Sequence, residues 1–347
     1  DEKVIHYGII PRSNRCIFVI NELPDLQARI QVSLFNILQE GDIQIRGFKL
    51  RMPLDILFVF TANPEDYTNR GSIVTPLKDR IESQILTHYP KTLETSLAIT
   101  EQEADILEAQ KQRVDISDLI KRLIEQVSFE ARSNEFVDKK SGVSARLTIA
   151  AFENAISSAE RRAIIHNEKH TYVWISDLMG IIPSITGKIE LVYEGEQEGP
   201  YEVALNLLNK SIRTQFIEYF PNPELLKKKK MINKKGEEKA LDNPYKAITS
   251  WFDGGNHLNL MLDMKDADKV VALYKVDGLF GLVKKYYPQA NEKESALLME
   301  FVLHGLAAFS LINKKMIDGK IEFNDLMSSM MNLDSFGEED YNESDYQ

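Results

Sequence analysis

The sequence predicts an α/β core in its amino-terminal part, followed by two helical regions. Two short apolar runs, 16–20 and 56–62, each end in polar residues, as parallel strands do where they reach the carboxyl edge of a sheet. Helical and hairpin patterns are interleaved with them, and beyond Pro90 the periodicity becomes that of amphipathic helices.

The elements follow in order. Residues 16–20 (Cys-Ile-Phe-Val-Ile) form the first strand. A helix is expected over 24–39: Pro24 suits a first turn, and Leu26, Ile30, Leu34 and Leu38 recur every four residues until Gly41. Residues 42–51 alternate Ile43, Ile45, Phe48 and Leu50 with polar residues around Gly47, a hairpin pattern. The second apolar run stops at Asn63-Pro64, and a loop with Asn69, Arg70 and Gly71 leads to a short helix near 75–82 and a strand near 84–88. Next, 91–127 and 143–166 read as helices joined by the polar stretch 132–142, and 174–182 as another with Ser176 or Asp177 near its start. The Gly/Glu-rich stretch 194–200 reads as a hinge. Residues 201–332 are expected to be mostly helical. Within them 296–312 is a buried helix and not a membrane span, because Glu300 and His304 interrupt it. A lysine-rich segment, 227–239, precedes that helix, and the chain closes on an acidic tail, 336–347, expected to be disordered.

Composition narrows the function classes. The 347 residues leave room for two or three domains, and 43% apolar with 27% charged residues is an ordinary globular balance. A net charge of −11 argues against broad nucleic-acid binding. The single cysteine, Cys16, permits no internal disulfide and suits a reducing compartment. With no signal peptide or membrane span in the pattern, a soluble cytoplasmic protein is expected. The chain opens on Asp1 and reaches its first methionine at Met52, which suggests a piece of a longer protein.

Three local patterns carry chemistry. In Ile17-Phe18-Val19-Ile20-Asn21-Glu22, a buried strand delivers two polar residues to a sheet edge where α/β proteins bind ligands. In nucleotide hydrolases this is the Walker B position, where the first residue helps hold Mg²⁺ and the following Glu polarises the attacking water. Thr61-Ala62-Asn63-Pro64 follows the second strand, and an asparagine amide there can orient water and touch a terminal phosphate. Pro76-Leu77-Lys78-Asp79-Arg80 offers a guanidinium able to offset charge on a transferring phosphoryl group. Each has a plain structural alternative: a polar turn after a strand, an Asn-Pro loop opener, a surface ion pair.

Taken together, their order and spacing resemble the AAA+ ATPases. The hairpin at 42–51 is similar to the pre-sensor hairpin of the MoxR and magnesium-chelatase branch, and Gly8-Ile9-Ile10-Pro11-Arg12-Ser13-Asn14-Arg15 resembles the segment before Walker B there. The resemblance covers 7–90 well, 91–190 in part and 200–347 hardly at all. It implies a partial AAA+ parallel sheet core over 1–90, an all-α lid over 91–193, a mostly helical C-terminal domain over 200–332 and an acidic tail over 333–347. Carried over, Glu22 is the catalytic glutamate, Asn63 the sensor-1 residue and Arg80 an arginine finger acting in trans. Gly142-Val143-Ser144-Ala145-Arg146 resembles the sensor-2 segment, making Arg146 the lid residue that reads nucleotide state. Arg161 and Arg162 lie nearby, but mid-helix arginines are usually solvated. The resemblance further implies ATP and Mg²⁺, a homo-oligomeric ring (a hexamer in the family), a partner with a von Willebrand factor A domain, and no nucleic-acid or membrane partner.

Two features depart from the pattern. No Gly-x-x-x-x-Gly-Lys-Ser/Thr occurs in the chain, so the Walker A backbone cradle and lysine for the phosphates are missing. Asn21 stands where an aspartate is usual, and an uncharged amide oxygen is a weak Mg²⁺ contact. The expected function is an ATP-hydrolysing motor subunit that remodels a partner protein. The alternatives are a magnesium chelatase ATPase subunit proper and a catalytically degenerate scaffold subunit of an AAA+ ring. His166 and His170, four apart, could bridge a metal but read better as solvated, as does the lysine segment; Phe216, Tyr219 and Phe220 read as core.

Overall fold

In the computed structural model, residues 6–44, 51–63, 73–139, 141–225 and 243–326 are described. The chain divides into two compact units, Asp1–His88 and Tyr89–Gln347. The first contains α1 (Ile9–Arg12), β1 (Ile17–Ile20), a 3-10 turn (Leu23–Asp25), α2 (Ala28–Ser33), α3 (Phe35–Glu40), β2 (Asp42–Gln44), β3 (Arg51–Pro53), β4 (Leu57–Phe60) and α4 (Thr75–Lys78). As the apolar runs require, β1 and β4 pair in parallel, with Ile17 opposite Leu57 and Ile20 opposite Phe60. One face of this ladder lies on a small core: Ile20, Phe58 and Phe60 pack against Leu23, Leu34, Ile37 and Leu77. The other face is bare, with Ile17 65% and Leu57 62% exposed beside the similarly exposed Val19 and Val59. The hairpin forms at its base, Asp42 opposite Pro53 in antiparallel register, while its tip at 45–50 lies outside the described residues.

Three expectations for this unit are corrected. The continuous helix over 24–39 is a 3-10 turn and two short helices meeting at Leu34. The buried carboxamide of Gln31 sustains the first of these breaks: its Nε2 donates to the Leu26 carbonyl, while its Oε1 accepts from the Val74 N–H. Inside an unbroken helix the Leu26 carbonyl would be satisfied by the helix itself. The helix near 75–82 is the single turn α4, and the strand at 84–88 is irregular. Ile85 and Leu86 lie exposed, 91% and 78%, and among the described residues no strand pairs with them.

The second unit runs through α5 (Leu93–Glu103), α6 (Glu108–Arg113), β5 (Val114–Asp115), α7 (Asp118–Ser133), α8 (Arg146–Ile165), β6 (Thr171–Tyr172), a 3-10 turn (Ser176–Ile181), α9 (Ile182–Thr186), α10 (Tyr193–Glu198) and α11 (Pro200–Tyr219). It continues with α12 (Lys246–Asp253), β7 (Leu258–Met261), α13 (Asp266–Tyr274), α14 (Leu279–Tyr286), α15 (Glu292–Ala308), β8 (Asn313–Ile317) and β9 (Lys320–Asn324). Ser117 and Asn291 cap α7 and α15 through their side chains, as their residue types favour. The predicted helix over 91–127 is thus three pieces, and 174–182 is a 3-10 turn leading into α9 rather than one helix.

The expected hinge at 194–200 is also corrected. It is helical, with Gly199 at φ +100 between α10 and α11, and a single core runs from Val114 to Phe323 across it. Helix α11 packs on α7 and α15, and Gly305 admits the Phe216 ring so closely that a Cβ there would lie 2.0 Å from it. The carboxyl-terminal part is not purely helical either, since β7, β9 and β8 form an antiparallel sheet in that order. The lysine segment at 227–239 and the acidic tail at 336–347 lie outside the described residues. Among the described residues, no helix is long and apolar enough to cross a membrane.

A buried ionic network ties this unit together. Arg162, only 2% exposed, meets Asp177 through Nε and Nη2 at 3.2 and 3.0 Å and Asp266 through Nη1. Its carboxylate neighbours hold its guanidinium charged despite burial. Asp266 also accepts from Thr171 and the Trp174 indole. Beside them, buried Glu300 accepts the N–H groups of Ile175 and Ser176, and Lys269 donates to Ser176. The network joins α8 to α13 and α15, so Arg162 is not the solvated mid-helix arginine expected.

Candidate functional site

Parallel pairing has a direct consequence for the sequence motifs: both strands end on the same edge. Asn21 and Glu22 follow β1, Thr61, Ala62 and Asn63 follow β4, and all five are exposed. Hydrogen bonds stitch the two ends together. The Thr61 N–H donates to Ile20 O at 3.1 Å, and the Leu23 N–H to Thr61 O at 2.9 Å. The Glu22 N–H donates to Thr61 Oγ1 at 3.0 Å, and that hydroxyl donates to Asn21 Oδ1 at 3.3 Å. Glu22 itself has φ +52 and ψ +54, a left-handed conformation that costs a residue with a Cβ of order 1–3 kcal/mol and is often kept at functional sites.

Arg80 belongs to the same unit and is held by contacts with its own neighbours. Its Nε and Nη2 donate to Gln39 Oε1 at 3.2 and 2.8 Å, its Nη1 donates to Pro76 O at 2.6 Å, and its guanidinium lies 4.8 Å above the Phe35 ring. These bonds use three of about five guanidinium N–H groups. The structure therefore brings Asn21, Glu22 and Asn63 to one edge and seats Arg80 against α3.

Arg146 opens α8 and is exposed. The segment before it is anchored by Arg132, whose Nε donates to Val143 O at 3.2 Å while its guanidinium lies over Tyr89 and Phe129 at 4.5 and 5.2 Å. Sequence reading passed over Arg132, as it did Gln39 and Phe35, because each acts through tertiary contacts that no local spacing encodes. Thr61 could have been found, since it lies inside the Thr-Ala-Asn-Pro motif.

The other candidates are settled by their surroundings. His166 Nε2 meets the Asp263 carbonyl and His170 Nε2 lies 3.3 Å from Asp115, so the two imidazoles face different partners. Phe216, Tyr219 and Phe220 pack around Phe301 as core. Among the described residues, no group of three or more His, Cys, Asp or Glu side chains could hold a metal. At the strand edge, the oxygen of Asn21 is engaged by the Thr61 hydroxyl. Mg²⁺ takes oxygen ligands in a near-ideal octahedron, and the Asn21 oxygen, which keeps a second lone pair beside the Thr61 hydroxyl, offers it an uncharged ligand.

No protein-family model and no curated protein matches the chain. Among solved structures it is similar to a "putative ATPase" from Cytophaga hutchinsonii, at 21% identity and a TM-score of 0.23, over 56% of this chain. The chain spans 65% of the length of that protein. At that TM-score the likeness does not define a shared fold, and the reading of the site rests on its own geometry.

Proposed function

We propose that these residues belong to an ATP-hydrolysing motor subunit similar to the MoxR and magnesium-chelatase ATPases, with the strand edge as its hydrolytic centre. One observation carries this reading: the parallel register sets the Asn21-Glu22 and Thr61–Asn63 ends side by side, with Glu22 in a left-handed turn. Glu22 polarises the attacking water, and Asn63 orients it with its carboxamide. Arg80 is the arginine finger offered to a neighbouring subunit in a head-to-tail ring, with a hexamer the family expectation; its support is that its contacts to Gln39 and Pro76 use only some of its N–H groups. Arg146 reads nucleotide state from the lid, and the hairpin at 42–51 bears on a client or on a partner with a von Willebrand factor A domain. The reading requires a phosphate loop and lysine that the 347 residues do not themselves contain.

A second reading, a scaffold subunit that fills a ring position without turnover, is favoured by Asn21 alone. ATP turnover by the natural protein separates the two. Glu22→Gln is expected to lower kcat by about 10²–10⁴-fold, and Asn63→Ala by about 10²–10³-fold, with nucleotide binding retained in both. Wild-type protein that binds ATP without turning it over would establish the scaffold reading instead.

A further inference from the structure

The orientation of one side chain at the edge follows from the hydrogen bonds around it. The Glu22 N–H occupies a lone pair of Thr61 Oγ1, and the same hydroxyl lies 3.3 Å from Asn21 Oδ1. A threonine hydroxyl has one proton to give. Placed this way, that proton goes to the Asn21 oxygen. The flipped carboxamide would set an NH₂ group against the hydroxyl and leave the proton with no acceptor in the cluster. Asn21 therefore turns its oxygen toward Thr61 and its NH₂ away from it, on an exposed edge.

We propose that Asn21 recognises an anionic phosphoryl oxygen directly, as an N–H donor, and that Thr61 is the positioning residue that turns it to do so. The proposal rests on the nucleotide reading of this edge and specifies how the edge binds its ligand. An amide NH₂ has no lone pair to offer a cation, and one of the two lone pairs of the carboxamide oxygen is taken by the Thr61 hydroxyl. The position that holds a metal through a carboxylate in the resembling ATPases thus makes a neutral, direct contact with the polyphosphate here. Asn21 and Asn63 are two amide donors on one edge, and neither needs a divalent ion to meet an anion.

The test is nuclear magnetic resonance on the 347-residue chain labelled at asparagine, with the Asn21 and Asn63 side-chain amides identified by their loss in Asn21→Asp and Asn63→Asp. Inorganic tripolyphosphate is titrated in the presence of a chelator. Both amide pairs are expected to shift, and Thr61→Ser, which keeps the hydroxyl, is expected to preserve both shifts. Thr61→Val is expected to lose the Asn21 shift and keep that of Asn63. An Asn21 response that requires added Mg²⁺ would overturn the direct contact, and one that survives in Thr61→Val would overturn the positioning role. If Asn63 responds and Asn21 does not, the proposal fails while the reading of the edge stands. If neither responds, the direct contact fails, and the reading of the edge is decided separately by the turnover of Glu22→Gln.

Discussion

Glu22 sits where its Cβ crowds the backbone, held there by the N–H bond to Thr61 and by Leu23 packed in the core below. Glycine adopts this conformation without the steric cost. Glu22→Gly should therefore stabilise the first unit by about 1 kcal/mol, seen as a higher midpoint in thermal unfolding, while removing the proposed catalytic carboxylate. A lower midpoint would show that the glutamate side chain contributes contacts of its own. Lys314 illustrates the opposite case, a residue whose charge is costly. Burial pushes its amine down from 10.5 to about 8, with Asn209 Oδ1 at 2.7 Å as an acceptor. Between those values the unfolded chain binds the proton that the folded chain releases, so stability rises with pH across the window and the penalty is full below about 8. Lys314→Met removes the penalty. Its thermal midpoint relative to wild type should be most favourable near neutral pH and should fall as pH approaches 10.5; a difference independent of pH would refute this.

Among the elements, α8 carries the most consequence because its two ends do different things. Arg146 stands exposed at its start, and Arg162, almost fully buried, pairs with Asp177 and Asp266 near its end. Removing one partner leaves charge uncompensated in the interior. Asp266→Ala is expected to destabilise the second unit by about 3–5 kcal/mol, measured as a lowered urea midpoint with unchanged slope. An unaltered midpoint would mean that Asp177 alone satisfies the guanidinium. The short helices of the first unit obey a different rule. Between Leu23 and Glu40 the apolar residues recur at helical spacing, yet the chain leaves the helix at Leu26, whose carbonyl the buried Gln31 takes, and breaks again at Leu34.

For the molecule as a whole, the two units are unequally finished. The second encloses a continuous core from Val114 to Phe323, whereas among the described residues the first rests on four buried apolar side chains beneath a two-stranded sheet. Parallel sheets are ordinarily covered on both faces, and the outer face of β1 and β4 is bare. That face should bind a hydrophobic dye. Replacing Ile17 and Leu57 together with threonine should remove roughly half of the dye signal without altering the far-ultraviolet circular dichroism, since exposed apolar patches govern such binding. A signal unchanged by the double substitution would place the dye elsewhere.

What the sequence by itself determined are the features written in local periodicity: the two apolar strands, the hairpin base, the long helices α8 and α15, and the asparagine and glutamate residues at the strand ends. Alternation, four-residue repeats and capping residues act within a few positions, so they can be read along the chain. Only the tertiary structure decided where α8 is anchored, that 194–200 is helical, that a sheet closes the carboxyl-terminal part, and that residues 84–88 form no strand. The contacts that anchor α8 join residues about a hundred positions apart, such as Arg162 to Asp266. Whether a strand forms depends on a neighbour to accept its hydrogen bonds, which the segment itself does not contain. The same holds for Arg80: the sequence offers its guanidinium, but Gln39 and Phe35, one helical turn apart on α3, determine how it is held.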